Sequence, residues 1–271
     1  ALLMALTWGQ QMGFTEPAIL ALFAAWLLFL AIFLLIEWKS PQPMIDLNLF
    51  RNSLFNINLI TGLIIFICMA GTIILMPFFL ENVLGYDTRA VGFLLAIVPI
   101  SMGIVSPISG ALSDRFGTRP MTVLGLAVLV VGFFAVSTLS TETTALGYVL
   151  RFLPIGVGIG MFQSPNNSAV MGAVPPTRLG VASGLLSVTR TLGQSAGIAA
   201  LGALWASRVI YRVGTAPVGG ATAAPAAIQV AALSDTFGVT VVLTCLALLL
   251  AVWALVQERR RRRLAEPAQP H

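Results

Sequence analysis

Gly110-Ala111-Leu112-Ser113-Asp114-Arg115-Phe116-Gly117-Thr118-Arg119 is a short charged turn set between two long apolar blocks, 90–112 and 121–139. Charges that close to apolar runs mark the point where a chain leaves a low-dielectric layer and re-enters it. Each residue type has a physical use there. Gly110 lets two helices approach closely, and Gly117 permits the tight turn. Asp114 is placed to accept from the free amides that begin the next helix and to pair with an arginine.

Outward from this turn the sequence repeats the same arrangement of apolar block and breaker. The blocks are 1–13, 17–36, 57–80, 90–112, 121–139, 146–174, 180–207 and 237–256, seven long enough to cross a hydrocarbon layer and one partial. Hydrophobic residues make up 58% of the chain and charged ones 9%, against roughly a quarter charged in a soluble domain, so the solvent of most residues is lipid. Backbone groups in lipid must be satisfied within their own segment, and no block alternates with the period of a barrel strand. The fold class is therefore all-α integral membrane. Breakers fall where spans should end: Thr15-Glu16-Pro17, Ser40-Pro41-Gln42-Pro43, Gly85-Tyr86-Asp87, Gly117 to Pro120, and Pro175-Pro176. The first block has no initiating Met, is too short to cross, and lacks the features of a signal peptide, so the expectation is a fragment without its N-terminal half. Residues 206–235, rich in Ala, Gly and Pro, suit a mobile loop.

Orientation follows from the basic residues in the short loops. Lys39, Arg51, Arg115, Arg119, Arg178 and the run Arg259 to Arg263 make ten on one side, while Arg89, Arg208 and Arg212 make three on the other. The first side, with the C-terminus, is expected to be cytoplasmic in a multi-pass plasma or inner membrane protein. A net charge of +5 does not indicate nucleic acid, because a third of the basic residues form the terminal run beside a span, where anionic lipid is the nearer partner.

Enzyme chemistry has almost nothing to work with. The single histidine is His271, the last residue, so neither a histidine metal site nor a Ser/His or Cys/His pair can be assembled. Cys68 and Cys245 lie inside spans and read as core. Gly156-Val157-Gly158-Ile159-Gly160 imitates a dinucleotide fingerprint but sits within an apolar span with no preceding strand, so it reads as helix contact surface. Gly180 with Gly184, and Gly193 with Gly197, are small residues four apart that give another helix a flat face, or mark a helix that slides.

The turn at 110–119 resembles the loop signature of the major facilitator superfamily, G-x-L-[AS]-D-R-x-G-[RK]-[RK], with Thr118 departing from it where a basic residue is usual. Glu37 followed by Pro43-Met44-Ile45-Asp46-Leu47-Asn48-Leu49-Phe50-Arg51 is similar to the inner linker of the fourteen-span drug:proton antiporters, the EmrB/QacA type. Gly180-Val181-Ala182-Ser183-Gly184-Leu185 with Arg190-Thr191-Leu192-Gly193-Gln194-Ser195-Ala196-Gly197 is similar to that family's penultimate span. The resemblance implies two inserted helices in 1–36, the first partial, and a cytoplasmic linker at 37–56. A six-helix C-terminal half at 57–256 and a cytoplasmic basic tail at 257–271 complete it. It also implies proton-coupled efflux of drugs or other small molecules by alternating access, with the proton gradient as energy source and no cofactor. The partners it implies are a small-molecule substrate, protons, membrane lipid and the N-terminal half. Gly110, Asp114, Arg115, Gly117 and Arg119 are then the conformational gating loop. A specific sugar or organic-acid carrier on the same fold, or a non-transporting sensor or scaffold, are the rival readings.

Polar residues inside spans point to a pathway, because hydrocarbon penalises them. Gln163, Ser164, Asn166, Asn167 and Ser168 surround Pro165 in the sixth block, a polar, proline-broken stretch that suits a substrate site, and in the superfamily the corresponding helix lines the central cavity. Asn166 and Asn167 cannot both point the same way. Arg190 lies about 15 Å into its span, where an arginine costs on the order of 3 kcal/mol and should have a partner. The candidates are backbone carbonyls or amides such as Gln163 and Asn166, an acidic residue of the other half, or an anionic substrate group. Arg190, Gln163, Asn166 and Asn167 are thus the expected substrate or coupling residues.

Overall fold

The computed structural model describes residues 4, 5, 8, 16–39, 47–215, 217 and 219–265. Most of the first apolar block, residues 40–46 of the linker, and residues 266–271 with the single histidine lie outside the described residues. The chain divides into two compact units, Ala1–Arg51 and Asn52–His271. The first contains α1, Pro17–Lys39, which opens with a proline whose fixed φ suits a helix start and whose missing N–H has no partner to lose there. Its apolar run, Pro17–Phe33, agrees with the second block, and one 3-10 turn, Leu47–Arg51, closes the unit.

The second unit is an up-and-down helical bundle, with no strand among the described residues. Asn52 caps α2, Ser53–Phe78: its side-chain oxygen accepts from the Leu54 amide at 3.0 Å, so the helix begins before the apolar block does. A π turn, Phe79–Val83, ends it. The fourth block forms α3, Thr88–Leu95, and α4, Ile97–Phe116, interrupted at Ala96. Pro99 explains the interruption, since it can neither donate to the Leu95 carbonyl nor sit beside it without a clash. Then come α5, Thr118–Ser137, α6, Ala145–Gly172, α7, Leu179–Val213, and α8, Ala226–Ala265. Among the described residues, five stretches are long and apolar enough to cross a membrane: Ser53–Val83, Thr88–Phe116, Thr118–Ser137, Ala145–Gly172 and Ala226–Glu258. At 35 residues α7 is also long enough, but Ser183, Ser187, Arg190, Thr191, Gln194 and Ser195 dilute its apolar character. Its block therefore reads as a span by length and pattern, not by apolar content.

Helix α6 is the centre of one layer, against α4 on one side and α5 on the other, while α2 lies against α7 and α8, and α8 also meets α5. Glycines make those approaches possible. A Cβ on Gly125 would lie 2.6 Å from the Phe162 amide nitrogen, and one on Gly158 would lie 2.8 Å from the Leu129 side chain. Gly156 and Gly160 face α4 instead, so the Gly-x-Gly-x-Gly run serves two neighbours on two sides of α6, as its contact-surface reading required. Phe133, Phe152, Phe162, Tyr148 and Phe237 fill the core between them. Cys68 is buried too, its thiol 3.7 Å from the Thr240 carbonyl, which agrees with a core role.

Two expectations are corrected. Pro165 does not break its helix: α6 is continuous from Ala145 through Gly172 past both Pro154 and Pro165. The carbonyl that Pro165 leaves without an amide belongs to Met161, and the Ser109 hydroxyl of α4 donates to it at 3.1 Å. The second correction concerns 206–235, most of which is helix, because α7 runs to Val213 and α8 starts at Ala226. The alanines that suggested a loop are strong helix formers. The remaining connection is tied down: Gln229 Nε2 donates to the carbonyls of Thr222 at 2.9 Å and Ala224 at 2.7 Å. Arg212 pairs with Asp235 at 2.7 Å across the same end.

Candidate functional site

At the end of the bundle where α4 meets α5, Gly117 adopts φ +92°, a conformation that a side chain would strain, so the turn requires glycine. Gly110 brings α4 close to α6, since a Cβ there would meet the Ser164 hydroxyl at 3.2 Å. Arg119 reaches across to Glu258 of α8, and the two form an ion pair over a cavity of about 180 Å³ lined also by Phe116 and Pro120. The pairing expected for Asp114 is absent: Asp114 and Arg115 are exposed and form no ion pair among the described residues. Nor does Asp114 cap α5, whose N-cap is Gly117 with no side-chain hydrogen bond. The loop thus keeps one charged pair within its own bundle and presents a free carboxylate outward. Glu258 was not legible as a partner, being separated from Arg119 in sequence by two intervening helices, α6 and α7.

A second cavity, of about 400 Å³, opens between α2, α6 and α7. Its lining includes Phe66 of α2, Asn167 of α6, and Ser183, Ser187, Arg190 and Thr191 of α7. The polar side chains of α7 recur at helical spacing and share one face. The Ser187 hydroxyl donates to the Ser183 carbonyl at 3.1 Å, and that of Thr191 to the Ser187 carbonyl at 3.0 Å. Both hydroxyls therefore face the cleft with their acceptor lone pairs available. The guanidinium of Arg190 lies over the Phe66 ring, 5.2 Å from its centroid. It has no hydrogen bond or carboxylate partner among the described residues. A cation–π contact contributes about 0.5–2 kcal/mol, short of the roughly 3 kcal/mol that depth imposes.

The four expected pathway residues separate accordingly. Arg190 and Asn167 come together in the cleft. Asn166 turns the other way, 2% exposed, towards Gly62 of α2, and its side-chain carbonyl has no partner. Gln163 is half-buried and is not part of the cleft lining. Among the glycines, Gly193 and Gly197 are pressed onto α2: a Cβ on Gly193 would lie 2.8 Å from the Phe66 Cβ, and one on Gly197 would strike the Ile67 carbonyl. Gly180 and Gly184 have the same spacing, yet nothing within the bundle stands over them.

A third cavity, of about 380 Å³, lies outside the expected pathway residues. It is lined by Met69, Thr72 and Met76 of α2, Met102 of α4, and Tyr148 and Phe152 of α6, among others. Tyr148 is wholly buried, stacked on Phe152 with ring centroids 4.2 Å apart, and its hydroxyl has no hydrogen-bond partner. A lone phenol in an apolar block was the available signal.

Residues 1–198 match the model of the Major Facilitator Superfamily. The chain is 32% identical over 207 residues to the uncharacterised transporter YebQ of Escherichia coli, which covers 73% of this chain and 45% of that protein. It is 32% identical over 207 residues to the multidrug resistance protein Stp of Mycobacterium tuberculosis, 76% of this chain and 38% of that protein. It is also 32% identical over 199 residues to the tetracycline resistance determinant of Streptomyces rimosus, 71% of this chain and 56% of that protein. The chain thus spans about half the length of these curated relatives, or less. Its multi-pass helical bundle, its loop at 110–119 and this match agree: the chain belongs to the Major Facilitator Superfamily.

Proposed function

We propose that the chain forms the C-terminal half of a proton-driven exporter of drugs or other small organic molecules, of the fourteen-span type, working by alternating access. The single observation that carries this is the cleft of Arg190 and Asn167, a polar opening on the side of a bundle otherwise made of apolar helices. Such a cleft at mid-depth suits a substrate pathway shared with a second half. The names of two relatives, a multidrug resistance protein and a tetracycline resistance determinant, support export of foreign compounds. On this reading α1 belongs to the two inserted helices, 37–56 is a cytoplasmic linker, 57–256 is the six-helix half, and the basic tail is cytoplasmic. The partners are an N-terminal half, lipid, protons and a small-molecule substrate. The exposed Asp114 carboxylate then faces the other half and acts on switching between inward- and outward-open forms.

The test is accumulation of a fluorescent drug by everted vesicles containing the complete transporter, energised by an inside-acid gradient. Uphill accumulation that collapses with the proton gradient is expected. Equal accumulation with and without the gradient would remove proton coupling, and none across a panel of drugs would favour a non-transporting role.

A further inference from the structure

The two cavities border the same face of α2. Phe66 lines the polar cleft, and Met69, Ile73 and Met76, which follow at helical spacing, line the apolar cavity. From Phe66 to Met76 is about 15 Å along the helix. One end of this track holds the Arg190 guanidinium, without a carboxylate partner among the described residues. The other holds three methionines, whose flexible thioethers accommodate aromatic rings of varied shape. It also holds Tyr148, whose buried hydroxyl is unpartnered. Among the described residues, no acidic side chain lines either cavity. Each volume alone, about 400 and 380 Å³, suits part of a drug-sized molecule.

We infer that the track binds an amphiphilic organic anion, its aromatic body among the methionines and its carboxylate or sulfonate on Arg190. This rests on the exporter reading and adds a charge to its substrate. Arginine is suited to the task, because its planar fork bonds a carboxylate through two parallel N–H donors. A lipophilic cation meets no counter-charge among the described residues of either cavity and would be repelled by Arg190. A partner for the Tyr148 hydroxyl is then an acceptor within the ligand, between its aromatic and anionic ends.

Three probes on one scaffold separate the contributions: 2-naphthoxyacetate, its neutral amide, and the matched naphthoxyethyl-trimethylammonium cation. Binding of each radiolabelled probe is measured on the purified complete transporter. The carboxylate should bind at least about tenfold more tightly than the other two, the scale of a charge-assisted hydrogen bond. Arg190→Gln should erase that margin while leaving the amide's affinity within about twofold, which also shows that the variant is folded; Arg190→Lys should keep part of it. Tyr148→Phe should weaken all three alike, since all carry the ether oxygen. The inference is overturned if the cation binds as tightly as the anion, if Arg190→Gln keeps the margin, if Tyr148→Phe changes no affinity, or if no probe binds. Its failure is distinguishable from that of the exporter reading. An anion margin abolished by Arg190→Gln, without uphill accumulation in proteoliposomes, supports the anion site and overturns export. Accumulation of the cation in preference to the anion does the reverse.

Discussion

At the scale of the residue, identical spacing conceals different roles. Gly193 and Gly197 are covered by α2, whereas Gly180 and Gly184 are open on the same helix. Gly197→Ala drives a methyl group into the Ile67 backbone, which cannot yield as a side chain would, and should cost about 1–3 kcal/mol of stability. Gly184→Ala meets nothing in this bundle and should hold or slightly raise stability through helix propensity, by up to about 1 kcal/mol. Thermal unfolding in detergent compares them, and equal melting temperatures for the two variants would refute the distinction. If the open pair faces a second half, Gly184→Ala will still slow transport. The free carboxylate of the loop gives a prediction of another kind. Asp114→Asn should depress transport yet leave equilibrium binding of a transported drug within a few-fold, because Asp114 is exposed at the end of α4 and lines neither the cleft nor the methionine cavity. Collapse of binding with switching intact would contradict the gating role.

At the scale of the element, each departure of the helices from their apolar blocks has a local cause. Asn52 moves the start of α2 to Ser53, Pro99 divides the fourth block at Ala96, and alanine-rich sequence starts α8 well before its apolar core. Pro165 would be expected to interrupt α6, but Ser109 supplies the missing donor from a neighbouring helix. Ser109→Ala removes that donor and leaves the part-buried Met161 carbonyl without its partner, a loss of about 1–3 kcal/mol. A drop in melting temperature is expected, together with faster amide exchange around residues 161–165. Unchanged exchange there would mean that α6 tolerates Pro165 unaided. The proline was visible in the sequence and its remedy was not, since Ser109 lies 52 residues from the Met161 carbonyl that it serves.

At the scale of the whole molecule, the helices alternate in direction, so the ends of the bundle segregate the loops and with them the charges. The end bearing Gly117 also bears Glu258 paired with Arg119, and the opposite end bears the 214–225 connection clasped by Gln229. A cysteine placed at Gly219 should react with an impermeant reagent applied to intact cells, and one at Arg261 should not. Labelling of both from outside would overturn the orientation drawn from the basic residues. The helical character of the apolar blocks, the charge asymmetry and the loop at 110–119 follow from sequence alone. Lipid obliges each segment to satisfy its own backbone, so an apolar run of about twenty residues already specifies a helix, while caps and prolines set where it starts and stops. Which side chains meet is a different matter, because one residue turns a helix face by about 100° and composition does not set that rotation. Tertiary structure alone brings Asn167 to Arg190 while turning Asn166 onto α2, pairs Arg119 with Glu258, and covers one pair of α7 glycines while leaving the other open. Those choices depend on how neighbouring helices rotate and press together, and side-chain shape across the interface, not the sequence of either helix by itself, decides them.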